Sequence, residues 1–467
     1  MFRPSDTIVA TATPEGRSGI GVVRLSGPDA LRIAHVLTTR GRPLEPRRAT
    51  FTRLRQAAST PPLVGTGDES GHVSGIVDQI VATYFPSPTS YTGEDVVELS
   101  GHGNPVLLRQ IVEAATAAGA RLAEPGEFTL RAFVNERLDL VQAEAVADLI
   151  EAVTPSQARV AFDQLEGTLT RAIGRIEQTL FDEIARLEAS LDFPDEGYHF
   201  VDGARLMEAL TSVDADVTGL LASAPHGRLL REGRIVAIVG KPNAGKSSVF
   251  NALVGTDRAI VTAHAGTTRD MLTERIDVEG VPVTLVDTAG IRDAEHEVEQ
   301  LGVERARQAA SRADLILLVL DRAEALDGND LDVLSDTAGR TRVLVVNKLD
   351  RAPAWTPAES LDGSTYVEVS ALTGAGVPAL RSAVHRALLQ SDELRDTPAV
   401  SNMRHIQLLK DTHEALVRAM DAAQAKRPEE FVLADLQEAL RLLGEVTGQR
   451  TPDDVLASIF SRFCIGK

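Results

Sequence analysis

The chain has a single cysteine, Cys464, among 467 residues. That count excludes an internal disulfide framework and any multi-cysteine zinc site. Aromatic residues are scarce, 4% of the chain with one Trp, so helices packed by Ala, Leu and Val are expected rather than a broad base-stacking surface. No uninterrupted apolar run approaches the roughly 20 residues of a membrane span. The opening MFRPSDTIVATATPEGR has no apolar stretch after a basic one, so neither a secretory signal nor a membrane segment is expected, and a reducing cytoplasm fits. Cations are in deficit: 48 Lys and Arg stand against 67 Asp and Glu, a net charge of −19. A broad electrostatic grip on nucleic acid is therefore disfavoured, and any RNA must be held by a local basic surface or by a second protein.

What is present is enough for several cores. The length suits two to four domains, and 43% hydrophobic with 25% charged residues describes a soluble globular protein. The first third mixes strands and helices. Asp6-TIVATAT and Gly19-IGVVRLSG are apolar runs around the turn Pro14-Glu15-Gly16, and Ile76-VDQIVATYF reads as a further strand. Val106 to Ala118 reads as a helix stopped by Gly119, and Ser59 to Ser74 as a turn-rich loop. From about Asn135 the pattern becomes helical. Leu165, Leu169, Ile173, Ile176, Leu180, Ile184, Leu187 and Leu191 form one apolar seam along a long helix ended by Asp192-FPDEG, expected as part of an intramolecular bundle. Between Arg234 and Leu389 strand and helix alternate (RIVAIVG, VTLVDTAG, DLILLVLD, RVLVVNK, YVEVSAL), the pattern of a doubly wound α/β domain. Helical periodicity returns after Ile406. A last helix is expected to open at Thr451-Pro452-Asp453-Asp454, with Thr451 as its cap and Val455, Ile459 and Phe463 as its packing face. Helices on both sides of the α/β unit imply that it is inserted into a helical domain.

The α/β segment carries the chemistry. Gly240-Lys-Pro-Asn-Ala-Gly245-Lys246-Ser247 follows a strand and fits the phosphate-binding P-loop. Its glycines let backbone amides approach phosphate, Lys246 reaches the β and γ oxygens, and Ser247 offers a hydroxyl to Mg²⁺. Asn347-Lys348-Leu349-Asp350 ends a strand where an Asp accepts from N1–H and the amine of guanine, and Ser370-Ala371-Leu372 offers backbone N–H to the guanine O6. The nucleotide is thus GTP. Asp287-Thr288-Ala289-Gly290 would support Mg²⁺ through water and sense the γ-phosphate, while Thr268 in Ile260-VTAHAGTTRD270 completes the Mg²⁺ shell. The position after DTAG, where many GTPases hold a water-orienting Gln, is Ile291. An apolar side chain cannot orient water, so Glu295, Glu297 and Glu299 become candidates. Asn243 offers an amide oxygen to a monovalent cation that would stand in for an arginine finger.

GKPNAGKSS, GTTRD, DTAGI, NKLD and the terminal FCIGK together resemble the MnmE (TrmE) family of tRNA-modification GTPases. DTIVATATPEGRSGIGVVRLSG, YTGEDVVELSGHGNP and PGEFTLRAFVNERLDLVQAEAVADLI resemble it too, so the likeness spans nearly the whole chain. It implies a multidomain α/β plus all-α fold: an N-terminal α+β domain over 1–134 that binds a tetrahydrofolate derivative and dimerises, a split helical domain over 135–232 and 391–467, and an inserted G domain over 233–390. It also implies a homodimer joined by an MnmG-type FAD protein in a heterotetramer, with FAD on the partner alone. The implied reaction builds an aminomethyl or carboxymethylaminomethyl group at C5 of a tRNA wobble uridine, with 5,10-methylene- or 5-formyl-tetrahydrofolate as the one-carbon source.

Carried over by motif, GTP would contact Asn243, Ala244, Gly245, Lys246, Ser247 and Ser248, then Thr262, Ala263, His264, Ala265, Gly266, Thr267 and Thr268. Asp287, Thr288, Ala289 and Gly290 would complete the phosphate side, and Asn347, Lys348, Asp350, Ser370, Ala371 and Leu372 the base side. The resemblance gives K⁺ to Asn243, Thr262, His264 and Thr267, catalysis to Lys246, water positioning to Glu299, and folate contacts to Arg24, Glu98, Arg137 and Lys467. Cys464 would be a nucleophile beside the transferred carbon, against the plainer reading of a small buried apolar residue. Its position near the end also invites a CaaX lipid anchor, but a terminal Gly-Lys and no upstream polybasic run reject that. A ribosome-assembly GTPase acting as an RNA-binding switch is the alternative; an acidic, helical remainder ending in FCIGK favours the first reading.

Overall fold

The computed structural model describes residues 6–55, 76–192, 202–255, 272–287, 313–361, 365–388 and 400–466. Its contacts divide the chain into two compact units, Met1–Ala147 with Leu443–Lys467, and Asp148–Leu442. The protein is a multidomain α/β plus all-α chain, as the sequence suggests.

The first unit is built on a six-stranded sheet: β1 (Ile8–Thr11), β2 (Ser18–Ser26), β3 (Thr50–Arg55), β4 (Ile76–Phe85), β5 (Val96–Gly103) and β6 (Arg121–Leu122), in the order β3-β4-β5-β2-β1-β6. All neighbours are antiparallel except β1 and β6. Alternation assigns the faces. Val23, Leu25, Leu54, Ile80, Val97 and Leu99 point to one side and form a core with the helices Ala30–Leu37 and Pro105–Ala117. Each such side chain contributes about 1.5–3 kcal/mol by leaving water. Arg24 and Glu98 are cross-strand partners on the other side. The Pro105–Ala117 helix starts as its sequence predicts, with Asn104 capping Val106 N at 2.9 Å and Pro105 in the first turn, and Gly119 follows its end at φ +109°.

The chain's last segment belongs to this unit. The helix Asp453–Phe460 and the turn after it bury Phe460 and Phe463 against Leu140, Ala143, Leu130 and Phe133. Phe460 stacks obliquely on Phe463 at 5.4 Å and on Phe133 at 6.3 Å. Two expectations are corrected here. Phe460, not Val455, fills the packing face alongside Ile459 and Phe463. Thr451 does not cap the helix; its hydroxyl donates to Glu445 O at 3.2 Å, and Pro452 stands at the cap without a side-chain bond.

The second unit holds a helical bundle and the α/β sheet. The helices Thr168–Asp192, Gly203–Ala222 and Met403–Gln424 pack together, and Gln437 from Glu429–Thr447 donates to Glu188 at 3.0 Å. The apolar seam is intramolecular: Leu169, Ile173, Ile176, Leu180, Ile184 and Leu187 are all buried. Leu165 is not on that helix. It ends the preceding helix Pro155–Leu165, because Gly167 at φ +77° breaks the run before Thr168. Asp192 is the last residue of the Thr168–Asp192 helix; the rest of the proposed stop, residues 193–197, and the Ser59–Ser74 loop fall outside the described residues.

The α/β sheet comprises β7 (Arg234–Val239), β8 (Leu272–Val278), β9 (Val281–Asp287), β10 (Leu315–Asp321), β11 (Arg342–Asn347) and β12 (Tyr366–Glu368), ordered β12-β11-β10-β7-β9-β8. The five strands read from the sequence are parallel; β8, which they did not include, is an antiparallel edge paired to β9. The parallel strands are buried on both faces. Val236 and Ile238 face the helices Lys246–Gly255 and Val377–Leu388, while Ala237 and Val239 face the opposite core with Leu318 and Leu344. Among the described residues no helix is long and apolar enough to cross a membrane.

Candidate functional site

The phosphate loop leaves β7 through Gly240 at φ +149°, where a Cβ would stand 2.3 Å from Val319 O. Gly245, at φ +95°, meets the Asn347 amide so closely that a Cβ would lie 2.1 Å from its nitrogen. Between them Asn243 is exposed and left-handed at φ +62°, a conformation Asn tolerates better than most residues. Lys246 opens the helix Lys246–Gly255 and turns its ammonium back over the loop, donating to Gly240 O and Lys241 O at 2.9 Å each. Burial pulls its pKa below the usual lysine value, opposed by the Asp287 carboxylate. Ser247 and Ser248 lie exposed in the same first turn, where helix N–H groups favour an anion. Asp287 ends β9 directly beside Ile238 of β7 and is buried, so a carboxylate is brought to the phosphate loop by strand register. Serine hydroxyl and carboxylate are the hard oxygen donors that Mg²⁺ takes.

Asn347 ties the two halves of the pocket. Its amide nitrogen donates to Ala244 O at 3.0 Å and its oxygen accepts from Ala371 N at 3.2 Å, so one buried side chain joins phosphate loop, Asn-Lys-Leu-Asp loop and Ser-Ala-Leu loop. Ser370 donates from Oγ to Asp350 Oδ1 at 2.5 Å, a bond that holds Asp350 below the ordinary aspartate pKa and keeps it an acceptor. Lys348, at φ +66°, pairs with buried Asp321, and Leu372 is 83% exposed at the loop surface. Lys241 has no role in the sequence reading, yet it is pinned by Asp330 at 3.0 Å, Asp327 at 3.4 Å and Glu324 at 3.5 Å; burial disfavours its charge, but Asp330 and Asp327 outweigh that and raise its pKa to about 12. That anchor fixes the loop from outside.

The first unit holds a second constellation. Arg24 meets Glu98 Oε1 through Nε at 3.0 Å and Nη2 at 2.9 Å, and its Nη1 donates to Gly466 O at 3.4 Å. Its guanidinium also lies 5.4 Å from the Tyr91 ring and 5.7 Å from that of Phe128. Tyr91 is held by a 2.8 Å hydroxyl bond to Thr129. Beneath this shelf Arg131, wholly buried, binds Asp6, Glu94 and Glu127 together. Neither Tyr91 nor the network stood out from the sequence, since cation–π and multi-residue ion contacts have no spacing signature. Arg137 is exposed, with its stem packed on the Gly93 position rather than bonded to this pair. Cys464 is exposed, which overturns the buried apolar reading, and its carbonyl accepts from Gly126 N at 3.5 Å. A guanidinium and a carboxylate beside an aromatic shelf suit the amide edge, carbonyls and ring of a pterin.

Thr262, Ala263, His264, Ala265, Gly266, Thr267, Thr268, Thr288, Ala289, Gly290, Ile291, Glu295, Glu297, Glu299 and Lys467 lie outside the described residues.

A phosphate loop locked by asparagine to a guanine-reading loop, at the end of a doubly wound parallel sheet, is the mark of a P-loop guanine-nucleotide-binding protein. The rest of the chain narrows the class. Residues 7–137 match the family model described as the GTP-binding protein TrmE N-terminus, and residues 140–464 match that of the MnmE helical domain. The tRNA modification GTPase MnmE of Koribacter versatilis is 44% identical, with 99% of each chain covered. The protein of that name from Azoarcus sp. is 42% identical over 100% of this chain and 99% of its own, and that from Aquifex aeolicus 42% over 99% and 100%. The chain belongs to the MnmE (TrmE) family.

Proposed function

We propose that the protein is a K⁺-activated GTPase whose cycle drives modification of C5 of the wobble uridine in tRNA. It hydrolyses GTP, as its family membership and pocket require, and the finer assignments are our reading. In the G domain Lys246 and the helix amides hold the phosphates, Asp350 and the Ser370–Leu372 backbone read guanine, and Ser247 with Thr268 would hold Mg²⁺, which supplies charge neutralisation at the phosphates when bound. Asn243, Thr262, His264 and Thr267 would hold K⁺. Glu299 orients the attacking water, the task Ile291 cannot perform.

The observation that carries the modification half is the contact of the tail with Arg24. Arg24 and Glu98 read the folate from the sheet, Arg137 and Lys467 meet its carbonyl and carboxylate groups, and Cys464 stands as the nucleophile near the transferred carbon. A folate derivative bound there supplies the one-carbon unit. An FAD-containing MnmG-type partner, a homodimeric assembly and a cytoplasmic setting complete the reading. The test is mass spectrometry of wobble uridines in tRNA from cells lacking the protein, complemented with wild type or Cys464→Ser. Unmodified uridine in the deletion and in the Cys464→Ser strain, with GTP turnover intact in that variant, is expected. Fully modified uridine in the deletion strain would refute the function; normal modification in the variant would remove Cys464 from it.

A further inference from the structure

The chain is strongly acidic, yet one stretch inverts the balance. Residues 38–55 hold six arginines (Arg40, Arg42, Arg47, Arg48, Arg53 and Arg55) and one acid, Glu45. We propose that this segment of the first unit is the surface that takes the phosphate backbone of the tRNA substrate. The inference rests on the function proposed above.

The fold turns the stretch into a fixed ridge. Thr50, Thr52 and Leu54 of β3 are buried, so Phe51, Arg53 and Arg55 all emerge on the opposite face of the sheet's edge strand. The preceding segment is strapped beside it at both ends. Thr38 bridges antiparallel to Leu54, and Thr39 N donates to Arg53 O at 2.9 Å, so the segment leading to Arg40 and the exposed Arg42 runs on from the edge strand, with Arg40 half-buried on Glu45. At the other end Pro46 bridges to Tyr84, and Arg47 N donates to Tyr84 O at 2.7 Å. The charge is not cancelled internally. Glu45 is shared by Arg48 at 2.6 Å and Arg40 at 3.5 Å, two cations on one carboxylate. Arg47 spends one nitrogen on Thr89 O at 2.6 Å and keeps its charge.

The chemistry fits nucleic acid better than a protein face. Guanidinium forks match phosphate oxygens bidentately. Phe51, 67% exposed between arginines, offers a ring on which an unpaired base can stack. Its cross-strand partner is the exposed Val81, and arginines flank it along the strand, whereas the core of a protein interface is depleted of charge. A chain of net charge −19 needs a local basic surface to hold a polyanion, and this ridge supplies one.

The test uses the full chain and an unmodified tRNA transcript with uridine at the wobble position, with binding followed by fluorescence anisotropy across a KCl series. Arg42→Gln/Arg53→Gln/Arg55→Gln should weaken binding by about 10–100-fold at low salt. The slope of log affinity against log salt should become shallower by about 2–3, as loss of three phosphate contacts requires. Phe51→Ala should weaken binding with the slope unchanged. The control Arg171→Gln/Arg175→Gln/Arg205→Gln removes the same charge elsewhere and should change affinity less than about 2-fold, and basal GTP turnover should be unaltered in every variant. Wild-type affinity and slope in the ridge variant would overturn the proposal, as would an equal loss in the control. Normal tRNA binding with lost capture of the FAD partner would overturn it in favour of a protein interface. Because the deletion-strain uridine assay reports function independently, an intact function with an unchanged ridge variant refutes this surface alone.

Discussion

Arg24, on the second strand, donates to the carbonyl of Gly466, the penultimate residue of the chain, across 442 positions of sequence. The same guanidinium holds Glu98 on the neighbouring strand. The tail is thereby part of the sheet's open face, and its position is fixed by three different supports. Phe460 and Phe463 seat the helix end, Gly126 N holds Cys464 O, and Arg24 holds Gly466 O.

Gly466→Ala should undo that docking. Gly466 has φ +97°, and an added Cβ would stand 2.2 Å from Thr11 O, so the tail must move away from backbone that cannot yield. We expect affinity for 5-formyl-tetrahydrofolate, measured by calorimetry, to fall by at least about 10-fold, since the contact of Arg24 with the tail is lost. GTP turnover should stay at the wild-type rate. Unchanged folate affinity would separate the tail from the folate site.

Asn347→Ala should weaken GTP binding by about 10²-fold, on the order of 3 kcal/mol, measured with a fluorescent guanine nucleotide. It removes the bond to Ala244 O and the bond from Ala371 N, leaving one buried carbonyl without its donor. Asp350 stays in place on Ser370, so preference for guanine over adenine should survive the loss of affinity. Lost discrimination with retained affinity would contradict the division of labour between the two residues.

The phosphate loop was legible because its requirements are local. Gly240 and Gly245 are glycines for reasons a spacing rule already encodes: positive φ and a close neighbour. The five parallel strands were legible as apolar runs. Other features depend on partners far away in sequence. That Asn347 reaches Ala244 across 103 residues cannot be read from either tetrapeptide. Phe460 and Val455 both lie on the last helix, and only the position of Phe133 decides which is buried. Tyr91 looks like a turn residue until Arg24 is folded over its ring. Leu165 satisfies the helical period, and Gly167 overrides it.

Acid should loosen the first unit before the G domain. Burial pushes the carboxyls of Asp6 and Glu127 up, but the Arg121 and Arg131 guanidiniums outweigh it and hold both below their ordinary values. A depressed folded-state pKa gives stability that is complete above the unfolded value and is lost as pH falls through the folded one. The loss therefore begins near pH 4–4.5, where unfolded carboxyls titrate, and deepens below it. Hydrogen exchange of residues 6–147 at pH 7, 5, 4 and 3 should show protection falling in that window. Arg131→Met should already be destabilised at pH 7, by about 3–5 kcal/mol, because it removes the buried cation that Asp6, Glu94 and Glu127 share and leaves Glu94 without its guanidinium partner. A pH-independent exchange pattern would deny the network its role.

GTP hydrolysis should run faster in KCl than in NaCl. Asn243 sits in the phosphate loop with left-handed backbone and an exposed side chain, so its amide is presented outward instead of being spent on a turn bond. A cation held there would supply the positive charge that an arginine finger otherwise provides, at a pocket where Ile291 offers no polar group. K⁺ suits a wider cage of oxygens than Na⁺, so the rate should follow the larger ion. Asn243→Ala should abolish the difference between the salts while retaining guanine binding, since Asn347, Asp350 and Ser370 are untouched. Glu299→Ala should act on a different step. It should slow turnover by on the order of 10²–10³-fold in either salt, the scale of a water-positioning group, with little change in GTP affinity. Equal wild-type rates in the two salts would remove the cation from the mechanism. A comparable loss from Glu295→Ala or Glu297→Ala, with Glu299→Ala near wild type, would move the water-positioning role along the same acidic run.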